Sequence, residues 1–205
     1  AAFSAGTTVE TQPRGLWRHN GTGWTRLAET ANDSTGSDVV IDDTIVVTAV
    51  AVSSTNSDYV AVGTSLAGLF VSTDAGRTFS QWSVELDPDL EEQPDSFRVT
   101  ALDWTGSRLV VAVRSLGLFA SHDNGATFGR LDLMVPDDLD KGPGGWTLVL
   151  PQINEVVADP SNPSRILAAL QFYGVYESTD NGLTWQDMYG DLLVPDPLDN
   201  GAWVR

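Results

Sequence analysis

Apolar and β-branched residues of this chain fall into short runs, parted by clusters of Gly, Pro, Asn, Asp and Ser. One set reads Thr48-Ala49-Val50-Ala51-Val52, then Tyr59-Val60-Ala61-Val62-Gly63, then Gly68-Leu69-Phe70. The next reads Val99-Thr100-Ala101-Leu102-Asp103, Arg108-Leu109-Val110-Val111-Ala112-Val113 and Gly117-Leu118-Phe119. A further set reads Glu155-Val156-Val157-Ala158-Asp159, Arg165-Ile166-Leu167-Ala168-Ala169-Leu170 and Gly174-Val175-Tyr176. The joints are turn formers: residues 53–58, Thr105-Gly106-Ser107 and Asp159-Pro160-Ser161-Asn162-Pro163. Runs of this length and composition, so bounded, predict β-strands. No window sustains apolar residues at helical spacing, so no helix is expected.

Each set leads into a near copy of one motif, Ser-x-Asp-x-Gly-x-Thr-aromatic. The copies are Ser72-Thr73-Asp74-Ala75-Gly76-Arg77-Thr78-Phe79, Ser121-His122-Asp123-Asn124-Gly125-Ala126-Thr127-Phe128 and Ser178-Thr179-Asp180-Asn181-Gly182-Leu183-Thr184-Trp185. They begin 49 residues apart (72 to 121) and then 57 apart (121 to 178). An earlier stretch, Gly15-Leu16-Trp17 to Gly23-Trp24, keeps the lead-in and the closing aromatic but lacks the aspartate. Repetition at this period, with four strands per unit, predicts an all-β protein: a β-propeller of four-stranded antiparallel blades, about four of them present. The motif is the hairpin from third to fourth strand. Its glycine takes φ above zero at no steric cost. Its aspartate, serine and threonine bond the backbone of their own turn. The closing aromatic packs below and seals one blade to the next. A catalytic carboxylate would be needed once and not in every unit, so the three aspartates are read as structural.

One domain over residues 1–205 is expected, with units near 1–30, 44–86, 97–133 and 153–190. The first unit lacks its beginning. Ala2-Phe3-Ser4 reads as a second strand, and residues 202–205 read either as the missing first strand or as a segment before a lost one. Three arrangements follow: an arc of a larger propeller, a closed four-bladed ring, or two chains completing one ring. The chain opens Ala1-Ala2-Phe3 without Met and is expected to be a processed product or a fragment. An unclosed arc exposes edges that need a partner.

Charge narrows the partners. With 11 basic and 28 acidic residues the formal net charge is −17, which argues against nucleic acid and anionic membrane surfaces. Part of the acidic excess sits in turns. The rest suggests an extracellular, periplasmic or lumenal surface. There is no cysteine, which excludes disulfides, thiol catalysis and cysteine-ligated metal. The longest apolar run, residues 45–52, is too short to span a bilayer, so no membrane insertion is expected.

The repeated motif resembles the Asp-box, or BNR, repeat of sialidases, sortilin-type receptors, some glycoside hydrolases and the photosystem II assembly-factor-like propellers, over residues 15–185. The resemblance implies the propeller fold, with the motif hairpins on the outer, non-catalytic side. It leaves function open among enzymes, receptors and assembly factors. Sialidases use three arginines on the sugar carboxylate, a Tyr–Glu pair and an acid/base Asp. Here Phe97-Arg98-Val99-Thr100 is the nearest match to the first arginine segment, without its proline and after a motif copy instead of before one. Arg114 could be a second arginine, and no third can be placed. That set is therefore not assembled.

Long connections are expected at residues 28–44, 84–96, 131–152 and from 187 onward, and loops of that length in a compact domain usually work or are disordered. They gather opposite the motif hairpins with Arg114, Trp146, Phe172, Tyr173 and Trp203, while Arg98 and Glu155 stand where first strands begin. Arginine and aromatic residues anchor protein interfaces and stack on sugars. The competing reading folds the aromatics into local core. Asp137, Asp138, Asp140, Asp196, Asp199 and Asn200 suggest calcium, but no EF-hand loop occurs and solvated acidic loops account for them. His19 and His122 lack metal-ligand spacing and read as turn residues. No cofactor motif is present. The expectation is a non-enzymatic binding or scaffold module that holds a protein partner, or the remainder of a larger propeller, through its long-loop face. The alternative is a carbohydrate-active propeller, either a hydrolase or a glycan-binding lectin.

Overall fold

The computed structural model describes residues 15–27, 31–32, 38–39, 41, 45–82, 97–133, 152–171, 173–188, 194–195 and 203–204. Among them there are strands and turns and no helix. The first unit is the hairpin β1 (Trp17–His19) and β2 (Trp24–Arg26). Two short strands follow, β3 (Ala31–Asn32) and β4 (Asp38–Val39). The second unit is β5 (Val47–Val52), β6 (Val60–Thr64), β7 (Leu69–Ser72) and β8 (Phe79–Trp82). The third is β9 (Val99–Thr105), β10 (Arg108–Val113), β11 (Gly117–Ser121) and β12 (Gly129–Leu131). The fourth is β13 (Ile153–Ala158), β14 (Ile166–Leu170), β15 (Gly174–Ser178) and β16 (Gln186–Asp187). A last hairpin pairs β17 (Val194–Pro195) with β18 (Trp203–Val204).

Units two to four are up-and-down antiparallel sheets in which each strand bonds the next. The strands fall where the apolar runs predict them, within about two residues. Two differences stand out. The connection 28–44 is not all loop: β3 pairs parallel with β8, and Ile41 is buried below it. The free edge of an outermost strand is a row of unmet backbone groups, and the passing chain meets some of them. The segment near 203 pairs with β17 rather than with the first unit. The expected strand at Ala2-Phe3-Ser4 lies outside the described residues.

Register shows that the sheets are copies in three dimensions. Each first strand carries one irregularity near its start, at Thr48, Thr100 and Asn154, where one extra residue stands unpaired. Such bulges bend a strand and re-aim one side chain. Thr48 Oγ1 donates to the Val99 carbonyl at 2.6 Å, and Thr100 Oγ1 to the Ile153 carbonyl at 2.6 Å. The bulges at Thr48 and Thr100 thus tie their sheets to the first strand of the next.

The core is divided among the joints between sheets. Leu16 and Leu27 of the first hairpin pack with Val60, Val62, Phe70 and Phe79. The other face of that second sheet, Ala61, Leu69 and Val71, packs with Val99, Leu102, Leu109, Val111 and Phe119 of the third. Ala101, Val110, Ala112, Leu118 and Ala120 then pack with Ile153, Val156, Ile166, Ala168 and Tyr176 of the fourth. Hence the inner strands β6, β7 and β10 read as continuous apolar runs: both of their faces are buried. Gly63 marks a close approach. A Cβ there would lie 2.4 Å from Val99 Cγ1 of the next sheet.

Gly63→Ala is expected to lower stability by about 1–3 kcal/mol, the usual penalty of overpacking. Val99→Ala in the same chain should return part of the loss, read as coupling in a double-mutant cycle of urea midpoints. Additive losses would show that the two sheets are not in contact there.

Candidate functional site

The motif hairpins are built the same way three times. In the third unit Ser121 Oγ accepts from the Gly125 amide at 2.7 Å and donates to Asp123 Oδ1 at 2.7 Å. Asp123 Oδ1 accepts from the Thr127 amide at 2.8 Å, and its Oδ2 from the Thr127 hydroxyl at 2.6 Å. Ser72, Asp74, Gly76 and Thr78 repeat these bonds, as do Ser178, Asp180, Gly182 and Thr184. The carboxylate thus spans the loop and the serine, itself buried, anchors it from below. Two successive residues are left-handed in each: Ala75 and Gly76, Asn124 and Gly125, Asn181 and Gly182. The glycine has a second reason. A Cβ on Gly125 would lie 2.7 Å from Val71 of the preceding unit, and one on Gly182 2.7 Å from Leu131.

These bonds hold the carboxylates ionised. The Thr78 amide leads in holding Asp74 at about 2. The Thr127 hydroxyl leads for Asp123, and the Thr184 hydroxyl for Asp180, both also at about 2. Groups so committed, one per sheet, are poor proton donors or nucleophiles at neutral pH. Each hairpin also bonds the turn between first and second strands: Ala75 N to the Asp58 carbonyl, Asn124 N to Ser107 and Asn181 N to Ser164. That end of the molecule is therefore a continuous rim of turns. The sequence did not single out Arg108, a rim residue. Buried at the start of β10, it reaches Asn181 Oδ1 at 3.1 Å and also bonds the Asn181 carbonyl. The recurrence of Ser-Arg before the second strand, at 107–108 and 164–165, is the signal that could have found it. A shallow groove beside the rim is lined by His122, Asp123, Thr127 and Arg130. It is bounded by the third unit's own hairpin.

The opposite end is where first strands begin and second strands finish. Arg98 and Arg114 meet there: the Arg114 amide donates to the Arg98 carbonyl at 2.8 Å, and both residues are half-buried. Equivalent bonds join Ser65 to Val46 and Gln171 to Gln152, so this place is basic only in the third unit. Tyr173 follows β14 at the same end and packs against the joint between third and fourth sheets. Glu155 is exposed, near the start of β13. Trp146 and Phe172 lie outside the described residues, as do the acidic loops 137–140 and 196–200. Trp203 is placed in β18 by its backbone. Among the described residues no three metal-binding side chains converge.

No family model and no curated protein matches the chain. Solved structures do. A GH74 xyloglucanase from Xanthomonas campestris aligns over 71% of this chain and 24% of its own, at 21% identity and a TM-score of 0.52. YCF48 from Cyanidioschyzon merolae aligns over 69% of this chain and 36% of its own, at 17% identity and a TM-score of 0.50. YCF48 in complex with a D1 peptide aligns over 68% and 40%, at 14% identity and a TM-score of 0.50. The fold is a β-propeller. Its stacked sheets are blades, and blades two to four are complete in four strands. The chain spans about a quarter of the xyloglucanase and under half of either YCF48 structure. At these identities the likeness is one of fold, shared by enzymes and a protein-binding factor.

The lowered aspartate values fix the sign of the acid response. A carboxyl whose folded value lies below its unfolded one stabilises the fold above the ordinary carboxylate range, and loses that contribution as pH falls toward about 2. Stability to urea is expected to hold near neutrality and fall between about pH 4 and pH 2. A chain carrying Asp74→Asn, Asp123→Asn and Asp180→Asn should start lower and fall less steeply. Ser121→Ala, which strips the Gly125 amide of its acceptor, should cost about 1–3 kcal/mol at neutral pH.

Proposed function

We propose that this propeller is a non-enzymatic binding or scaffold module, that its three motif hairpins are Asp-box repeats, and that it acts outside the cytoplasm. The observation that carries the reading is the division between its two ends. On the rim, every motif carboxylate is tied into its own turn. At the other end Arg98 and Arg114 stand side by side, in a chain of net charge −17. Arginine is favoured for carboxylate recognition because its planar fork pairs both oxygens. The partner in this reading is a protein segment bearing carboxylates, with Tyr173 at the same end, and Glu155, Trp146, Phe172 and Trp203 as the further candidates that the sequence offers. YCF48, which shares the fold, is seen with a peptide, which supports a protein ligand without identifying it. No nucleic acid is a partner in this reading.

A second reading is supported by the likeness to GH74 enzymes: a carbohydrate-active propeller. Glycosidases need two carboxyl groups at defined separation across a cleft. Glu155 is an exposed carboxylate near the start of β13 and is the candidate tested here.

An array of peptides ending in acidic residues separates the two. The native chain should retain a subset of these peptides, and Arg98→Ala with Arg114→Ala should lose it while circular dichroism is unchanged. Retention indifferent to both arginines would defeat the binding face. Reducing-sugar release from xyloglucan that disappears in Glu155→Gln would establish the enzyme instead.

A further inference from the structure

The first hairpin closes its turn as the motif hairpins do, with different residues. Its turn lies between His19 and Trp24. Asn20 Oδ1 accepts there from the Thr22 amide at 3.0 Å, the Thr22 hydroxyl at 2.9 Å and the Gly23 amide at 2.8 Å. In the second unit Asp74 Oδ1 likewise accepts from two successive amides, Arg77 and Thr78, and its Oδ2 from the Thr78 hydroxyl. The turn uses this side chain only as an acceptor. An amide where the motif hairpins carry a carboxylate adds a donor, Nδ2, that the turn does not employ. Residues 18–22 are exposed, and among the described residues nothing bonds Asn20 Nδ2.

Asn20 is followed by Gly21, and that pair has a chemistry of its own. Attack of the Gly21 amide nitrogen on Asn20 Cγ closes a cyclic imide. Glycine brings no Cβ to hinder the closure, and a Cβ built on Gly21 or Gly23 would meet nothing within 4 Å. The groups that this step needs are already in place. The Gly21 N–H donates to His19 Nδ1 at 3.2 Å, so the imidazole is set to take the proton as the nitrogen attacks. The His19 ring lies against Trp24, with centroids 4.9 Å apart. Oδ1 is the atom that becomes anionic when Cγ turns tetrahedral, and its three donors stand at distances that stabilise an oxyanion. Nδ2, the leaving group, gives up no protein bond when it departs.

Two other Asn-Gly pairs lack this set. The amides of Gly125 and Gly182 donate at 2.7 Å to the hydroxyls of Ser121 and Ser178, which are themselves committed to Asp123 and Asp180. Asn181 Oδ1 is taken by Arg108, and Asn124 Oδ1 is buried without a donor. Both glycines also stand against the preceding blade, where a Cβ would lie 2.7 Å from Val71 or Leu131.

We propose that the turn of the first hairpin is a self-modifying site, in which Asn20 closes on Gly21 with His19 as general base and hydrolysis of the imide leaves an aspartate. The bond from Gly21 N to Cγ forms and the bond from Cγ to Nδ2 breaks. The proton of Gly21 N passes through His19 to Nδ2, which leaves as ammonia with the bonding electron pair. Water then adds to an imide carbonyl and the ring opens, to aspartate or to isoaspartate according to the carbonyl attacked. Aspartate keeps every acceptor the turn uses and gives the first hairpin the carboxylate its sisters carry. Arg18, bonded to the Ala75 carbonyl at 3.0 Å, holds this strand beside the second hairpin, so the new charge joins the acidic turns of the rim.

Peptide mapping of the native chain, aged near neutral pH in heavy-oxygen water, tests this. Trypsin isolates Asn20 in residues 19–26 and Asn124 in residues 115–130, and fragmentation of the last peptide separates Asn181 from Asn200. Acid carrying heavy oxygen should accumulate at Asn20 well ahead of Asn124 and Asn181. His19→Phe keeps a ring beside Trp24 but takes no proton, and should slow Asn20 by about tenfold or more, part of the usual general-base contribution. Thr22→Val, which removes one oxyanion donor, should slow it as well. A turn merely loosened by either substitution would close its imide faster, so the direction of the change separates chemistry from structure. If either variant loses its strand spectrum, the order of the three asparagines in the native chain still decides. Asn20 converting no faster than Asn124 would overturn the proposal, and so would a folded His19→Phe chain that converts at the native rate or above it.

Discussion

A four-stranded blade is a thin sheet with two apolar faces, and neither can be covered from within. Strand β10, Arg108–Val113, is buried along its whole length, with alternate residues meeting blade two on one side and blade four on the other. Burial at roughly 25 cal/mol per Å² of apolar surface is then available only through neighbours. The stability of such a stack is a sum over joints more than over blades, as in other repeat architectures. Small residues at Ala49, Gly63, Ala101 and Ala112 let the sheets approach, and the bulge hydroxyls of Thr48 and Thr100 lock them in register. The fold repeats because one solution to this constraint was copied.

The Ser-Asp-Gly-Thr hairpins solve a different problem. A tight turn exposes amides that no strand can satisfy, and here one carboxylate and one buried hydroxyl take them up. The same bonds that stabilise the turn spend the acceptor capacity a catalyst would need. In the proposed reading, partner recognition is left to the other end, where strand starts and strand finishes meet and where the side chains vary from blade to blade. Val46 with Ser65, Arg98 with Arg114 and Gln152 with Gln171 occupy one backbone setting with three different chemistries.

Much of the architecture was legible because it is periodic. The Gly-aliphatic-aromatic lead-in and the motif fixed the third and fourth strands of every blade, and β-branched runs placed the first and second. The clasp of β3 on β8 was not legible: residues 28–44 hold only the short apolar run Val39-Val40-Ile41, and their pairing depends on an edge elsewhere in the chain. Nor was the role of Arg108, since a single arginine at the head of a strand reads as solvated until the neighbouring hairpin is in place. The residues of the proposed binding face were legible only by type. Arg98 and Arg114 are 16 positions apart in sequence and come together because an antiparallel pair returns the chain to its starting end. Nothing local marks that. The left-handed Ala75 was likewise hidden, because Asn124 and Asn181, its counterparts, are the residues that advertise the conformation.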